Sequence, residues 1–420
     1  MNGVIDPAEA RAAAYAEPLE TLNPAKPRLF QSDAMWPYFE RLRREDPVHF
    51  TPHSPVGPFW SITKYKDIMA IEADHKSFSS ASGIGLAESD LDMGPLPMFI
   101  AMDPPKHDVQ RKTVSPAVAP ANLSLLEPLI RERAGKILDY LPIGEPFDWV
   151  DRVSMELTAM TLATLFDIPQ DDRRRLTRWS DVVTAAPGFG IVDTIEQKRA
   201  EVKEYFDYFI RMWNERVNAA PGSDLISMLA HGNATRSMAM NEYLGNVILL
   251  TIGGNDTTRN TITGSVYALN KFPGEYQKLR DNPGLIPSMV SETIRWQTPL
   301  AHMRRTAVDD IDFRDKKIRK GDKVVMWYVS GNRDEEMIER ADDYIIDRPR
   351  VRQHLSFGFG IHRCVGNRLA ELQLKIVWEE ILKRFPVIEL VSEPRRTFSN
   401  FVKGYESMMV VIPRMPIPAT

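Results

Sequence analysis

The chain has one cysteine in 420 residues. That excludes an internal disulfide framework and any zinc site built from several thiolates. There is no excess of one charge: 53 basic against 57 acidic side chains leave a net −4, too little asymmetry for a nucleic-acid binder. No run of about 20 apolar residues is present to cross a bilayer. The longest apolar stretch, Asn246 to Gly254, is far shorter, so no transmembrane segment is expected. An export pattern is also missing, because Asp6, Glu9 and Glu17 interrupt the leading segment. No repeat or low-complexity tract divides the chain, and no Gly-rich dinucleotide fingerprint follows a strand-like run. These absences predict one cytoplasmic domain over 1–420 that draws any reducing equivalents from elsewhere.

Residues 1–30, rich in Ala, Pro and charge, read as a loose leading arm with one helix at most. Pro47–Lys66 suits a small strand pair. From Leu123 to Val217 apolar residues recur at helical spacing, punctuated by Pro169 and Pro187, which predicts several helices. Asn241–Asn270 is the least interrupted helical stretch, apolar on most faces and therefore central. Another helix is expected over Leu285–Trp296, and strands over Lys323–Val329 and Met408–Ile412. The class is mainly α with small β-sheets.

The most informative stretch is Phe357-Gly-Phe-Gly-Ile-His-Arg-Cys-Val-Gly366. A Gly-rich turn leads into Cys364 at the start of a helix over Val365–Arg384, where backbone N–H groups and the dipole favour a thiolate. A lone cysteine is more often a small buried hydrophobe, but the neighbourhood argues otherwise. The segment resembles the haem-binding loop of the cytochrome P-450 superfamily at all six specified positions. The resemblance implies the fold of that superfamily, with haem b between the long central helix and the cysteine loop. It makes Cys364 the metal ligand, a thiolate that favours O–O cleavage. Phe357, Gly358 and Gly366 would line the cofactor. His107, Arg111, Arg305 and His362 match the pattern that binds the haem propionates.

Glu292-Thr-Ile-Arg295 places a carboxylate and a guanidinium on one helix face. In order before the cysteine loop, it resembles the superfamily's structural Glu–Arg pair. The usual third partner is an Arg in Ala341–Asp347, where Ile345 stands instead; Arg348 or Arg350 can substitute.

Gly253-Gly-Asn-Asp-Thr-Thr258 puts consecutive glycines inside a helix, at a cost of about 1 kcal/mol each. Lacking Cβ atoms, they leave room for dioxygen, the co-substrate, against the backbone. A Thr257 hydroxyl can bond back to Gly253 and locally open the helix. The segment resembles the superfamily's acid–alcohol pair, which implies that Asp256 relays protons while Thr257 steadies reduced oxygen.

The longer run Gly253–Asn260, the loop Pro95–Pro104 and Leu355–Cys364 are similar to the soluble bacterial alkane ω-hydroxylases. That resemblance implies hydroxylation of the terminal methyl of medium-chain n-alkanes, with limonene and fatty acids as related substrates. Leu96, Met98, Phe99, Ile100, Leu250, Gly254, Leu300 and Met303 would form an apolar pocket with few polar anchors. It also implies a ferredoxin fed by a separate NAD(P)H-dependent reductase, docking on a basic patch of Arg363, Arg368 and Lys375, and a monomer. Rival readings are hydroxylation of terpenes, fatty acids or sterols at non-terminal positions, peroxide-driven turnover, and a non-catalytic haem or lipid sensor.

Overall fold

The computed structural model describes residues 5–87 and 96–414. Residues 1–4 of the leading arm, and Pro95 at the start of the apolar loop, lie outside the described residues. Helix predominates around a helix of 32 residues, Met240–Lys271. It packs against Glu156–Phe166, Arg173–Thr184, Ile286–Gln297 and Asn367–Arg384. Two apolar cores form at its two ends. Val266 and Leu269 join Trp378 and Ile381 in one, and Tyr243 and Val247 join Phe209 in the other.

Between these cores the helix is not apolar on most faces. Thr251, Asn255, Asp256, Thr258, Arg259 and Asn260 are all buried there. Buried polar groups are tolerated only when hydrogen-bonded, and several partners come from the adjoining helices. Thr158 Oγ1, for example, donates to Asn255 Oδ1 at 3.2 Å. This polar middle is the part of the helix that meets the central cavity.

From residue 5 onward the leading segment is not loose. Asp6 caps the helix Pro7–Ala16 by accepting from the N–H groups of Ala8 and Glu9. Ala10, Ala14, Leu29 and Phe30 are buried with Phe39, Leu42 and Trp327. Arg41 fastens the helix end by donating to Ala14 O at 2.7 Å and Glu17 O at 2.6 Å. Average composition hid a narrow stripe of small residues at i, i+4, which is enough to seat a short helix.

Five strands form the main sheet in the order Val48–Thr51, Phe59–Ile62, Lys323–Trp327, His302–Ala307 and Phe78–Ser79. The expected pair within Pro47–Lys66 is there, with Val48 opposite Ile62. The run expected over Lys323–Val329 ends as a strand at Trp327 and turns helical over Tyr328–Gly331. Arg305, opposite Val324, is carried on the sheet by its antiparallel pairing. The expected strand over Met408–Ile412 appears at Met409–Val411, paired with Phe147–Asp148 inside the region read as helical. The helix expected over Leu285–Trp296 spans Ile286–Gln297.

Candidate active site

The cysteine loop is shaped by its own backbone. Cys364 N–H donates to Phe357 O at 2.8 Å, and Gly358 N–H to Leu355 O at 2.8 Å. Gly358 and Gly360 both adopt φ +67°, and a Cβ on Gly360 would lie 2.4 Å from Glu72 O, so both torsion and space call for glycine. The following helix begins at Asn367, so Cys364 precedes it by one turn instead of starting it. Burial pushes the Cys364 thiol up, while N–H groups of Gly366 and Asn367 and the cations Arg111 and Arg363 pull the other way. Its accessible surface opens into a cavity of about 1440 Å³.

One edge of that cavity carries cations and imidazoles. Arg111, Arg305 and His362 line it, together with Phe357, Gly358 and Gly366. His107 stands beside His362 with ring centroids 4.3 Å apart, and its Nδ1 is 2.7 Å from Asp108 Oδ1. His362 Nε2 lies 3.0 Å from Ser80 Oγ. Burial, with Arg305 and His107 nearby, holds His362 far below its ordinary pKa and therefore neutral. Two ring nitrogens, His107 Nε2 and His362 Nδ1, are buried without a hydrogen-bond partner. His362 Nδ1 is a donor when its Nε2 accepts from Ser80, whereas the Nδ1–H bond to Asp108 leaves His107 Nε2 an acceptor; that one orphaned donor beside two guanidinium groups fits the anionic edge of a ligand. Arg305 is itself steadied by Glu72, at 3.5 Å from Nη2 to Oε1. Burial lifts the Glu72 carboxyl to about 7 against the pull of Arg305.

On the long helix, Gly253 opens onto free space, whereas a Cβ on Gly254 would meet Leu162 at 2.9 Å. Thr257 Oγ1 donates back to Gly253 O at 3.0 Å, and Thr261 to Thr257 O at 2.7 Å. Gly253, Gly254 and Thr257 line the cavity. Asp256 is not on that wall. Adjacent helical residues point about 100° apart, and its carboxylate turns to Asn255 Nδ2 at 3.0 Å and Arg259 Nη2 at 3.1 Å. Arg259 also reaches Asp181 Oδ1 at 2.7 Å. Burial pushes Asp256 up to about 6, with Arg259 opposing, and Asp256 Oδ2 has no hydrogen-bond partner. Arg259 and Asp181 were missed in the sequence, although the i, i+3 spacing of Asp256 and Arg259 was a usable signal.

The expected apolar residues converge. Leu96, Met98, Phe99, Ile100, Leu250, Leu300 and Met303 line the cavity with Gly254. The loop bearing the first four packs hard on the long helix: Phe99 N–H donates to Asn246 Oδ1 at 2.8 Å. A Cβ on Gly245 would lie 2.2 Å from Pro97 O. At its outer end the cavity reaches Arg28 and two stacked rings, Phe189 and Phe398, whose centroids are 3.8 Å apart.

Behind the cysteine loop Glu292 is fully buried. It accepts from Arg295 Nε and Nη2 at 2.8 Å each, and from Arg348 Nε at 3.2 Å. Arg348 is thus the third partner, and Arg350, exposed at φ +56°, is not. Ile345 still contributes through its N–H, 2.8 Å from Glu292 Oε1. Of the basic patch, Arg363 and Arg368 are exposed, while Lys375 lies 3.7 Å from Glu379. Arg368 and Lys375 border a groove of about 330 Å³ with Arg352, Glu371 and Glu127.

A large apolar cavity floored by a lone cysteine and edged by cations suits a flat, anionic, metal-bearing cofactor. Comparison with known proteins agrees. The cytochrome P-450 family model matches residues 284–411. Linalool 8-monooxygenase of Pseudomonas putida is 35% identical over 92% of this chain and 97% of its own length. A methyl-branched lipid omega-hydroxylase of Mycobacterium tuberculosis is 31% identical over 89% of this chain and 90% of its own. Among solved structures, CYP153D17 from Sphingomonas sp. PAMC 26605 superposes with a TM-score of 0.87 at 46% identity, covering 93% of this chain and 98% of that one. The chain belongs to the cytochrome P-450 family. It is a haem-thiolate monooxygenase that uses O2 as co-substrate, and its single cysteine is Cys364. No helix among the described residues is long and apolar enough to cross a membrane.

Proposed function

We propose that the protein hydroxylates the terminal methyl of medium-chain n-alkanes, with O2 and two electrons delivered by a ferredoxin. The balance is one alkane, one O2, two electrons and two protons giving one primary alcohol and one water. The observation that carries this reading is the wall of the cavity: Leu96, Met98, Phe99, Ile100, Leu250, Leu300 and Met303 converge there. Each buried methylene contributes about 0.8 kcal/mol, so an eight-carbon chain gains on the order of 6 kcal/mol with no polar anchor. The likeness of Gly253–Asn260, Leu355–Cys364 and Pro95–Pro104 to the soluble bacterial alkane ω-hydroxylases supports terminal attack.

Haem held through Cys364 supplies oxygen activation. In this reading Arg111, Arg305 and His362 bind its propionates, with His107 behind His362. Thr257, its proton on Gly253 O, keeps its hydroxyl oxygen at the cavity wall to hold a proton donor beside the open face of Gly253. Asp256 Oδ2, free of hydrogen bonds, carries protons inward, and Arg259 links it to the half-buried Asp181. Arg363 and Arg368 attract an acidic iron–sulphur partner, which is recharged by a separate NAD(P)H-dependent reductase in the cytoplasm. A second reading, terpene hydroxylation, is favoured by the 35% identity to linalool 8-monooxygenase. Aerobic turnover of n-octane with a surrogate ferredoxin, reductase and NADH tests the proposal. Mainly 1-octanol supports it, and sub-terminal alcohols or no product count against it.

A further inference from the structure

Glu72 is a buried carboxylate that the reaction itself does not call for. It sits at the end of the helix Tyr65–Ala73 and lines the cavity. Its two oxygens are committed to three different parts of the chain. Oε2 accepts from Phe359 N–H at 2.6 Å, inside the cysteine loop. Oε1 accepts from the Tyr328 hydroxyl and from Arg305 Nη2, the latter at 3.5 Å. The backbone fits as tightly, because both Gly358 and Gly360 are folded against this residue. Arg305 spends Nη1 on Arg304 O at 2.9 Å and one Nη2 hydrogen on Glu72. A guanidinium has five N–H donors, so others remain for a carboxylate in the cavity.

We propose that Glu72 is a positioning residue for the haem, fixing the Arg305 guanidinium toward a propionate and tying that cation to the loop that carries Cys364. The proposal rests on Arg305 binding a propionate. Its electrostatic consequence is definite. An anion paired with Arg305 in a low-dielectric wall partly cancels the cation's field at the iron. Removing the negative charge therefore leaves more positive potential at the haem and favours the ferrous state.

The test uses full-length holoenzyme in four forms: wild type, Glu72→Gln, Arg305→Gln and the double variant. Midpoint potentials are measured by spectroelectrochemical titration at about pH 8, above the value near 7 to which burial lifts Glu72. The carbon monoxide difference spectrum checks that the thiolate ligand is intact. Glu72→Gln is expected to keep the thiolate-type spectrum and to shift the potential upward. In the Arg305→Gln background the same change is expected to shift it by less than half as much, because without the guanidinium that opposes burial the Glu72 carboxyl keeps its proton and has no charge to lose. A wild-type potential in Glu72→Gln, or an equal shift in both backgrounds, overturns the proposal. If Glu72→Gln fails to take up haem, Glu72→Asp, which keeps the negative charge beside Arg305, must regain it; a Glu72→Asp protein that is no better overturns the proposal too. Wild-type potential and haem affinity in Arg305→Gln would instead remove Arg305 from the propionate site, and the premise with it.

Discussion

Replacing Glu292 by Ala removes the one carboxylate that, among the described residues, pairs with two buried guanidinium groups. Arg295 and Arg348 remain 1% and 8% exposed, and Arg295 keeps only carbonyl partners, Asn332 O at 2.9 Å, Ala341 O at 2.7 Å and Asp343 O at 2.8 Å. Breaking a buried ion pair from one side costs about 3–5 kcal/mol, mostly the penalty of the charge left behind. An unfolding entropy of about 2.1 cal/mol/K per residue across this chain is roughly 0.9 kcal/mol/K. The melting midpoint of the holoenzyme should therefore fall by about 3–6 °C, with haem occupancy falling alongside it. Differential scanning calorimetry and the haem-to-protein absorbance ratio read both. Arg348→Ala should lower the midpoint in the same direction, while Arg350→Ala, at an exposed position, should leave it within about 1 °C of wild type. A Glu292→Ala protein as stable as wild type, or equal losses from Arg348→Ala and Arg350→Ala, would refute the pairing of Glu292 with both buried cations.

Thr257→Ala should leave substrate binding intact but divert electrons from product to peroxide, lowering alcohol formed per NADH several-fold; unchanged coupling counts against Thr257 as the oxygen-side hydroxyl. Asp256→Asn should slow turnover and enlarge its solvent isotope effect. It also has a stability signature. The native carboxyl holds its proton to about pH 6 and the unfolded one only to about 3.9, so the native state binds more protons between them. Stability from this group is therefore lost as pH rises through that window. Asp256→Asn should gain on wild type from pH 4.5 to pH 7 in urea midpoint, and a constant difference would contradict the burial argument. Arg368→Glu should slow electron delivery from an acidic ferredoxin at low salt and approach wild type at high salt; equal rates at low salt would remove Arg368 from the docking face.

Contiguity decided what the sequence could reveal. The cysteine loop and the Gly253–Thr258 segment are unbroken runs whose residue types carry the chemistry by themselves, so both were legible. Glu292 and Arg295 were legible because three residues on a helix fix a face. The partner on the following loop was not, since loop spacing could not separate Arg348 from Arg350. Glu72 left no local trace: its partners Arg305, Tyr328 and Phe359 lie 233, 256 and 287 residues away. Asp256 and Thr257 read as one pair, yet the turn of the helix sends the acid to Arg259 and only the hydroxyl to the cavity. The leading segment was misjudged because average composition outweighed the positions of Ala10 and Ala14.

Competition between substrates separates an alkane hydroxylase from a terpene hydroxylase. Equal concentrations of n-octane and linalool are offered to the purified holoenzyme with surrogate ferredoxin, reductase and NADH, and the products are resolved by gas chromatography. 1-Octanol is expected as the main product. Hydroxylated linalool with n-octane left untouched would overturn terminal alkane hydroxylation as the function.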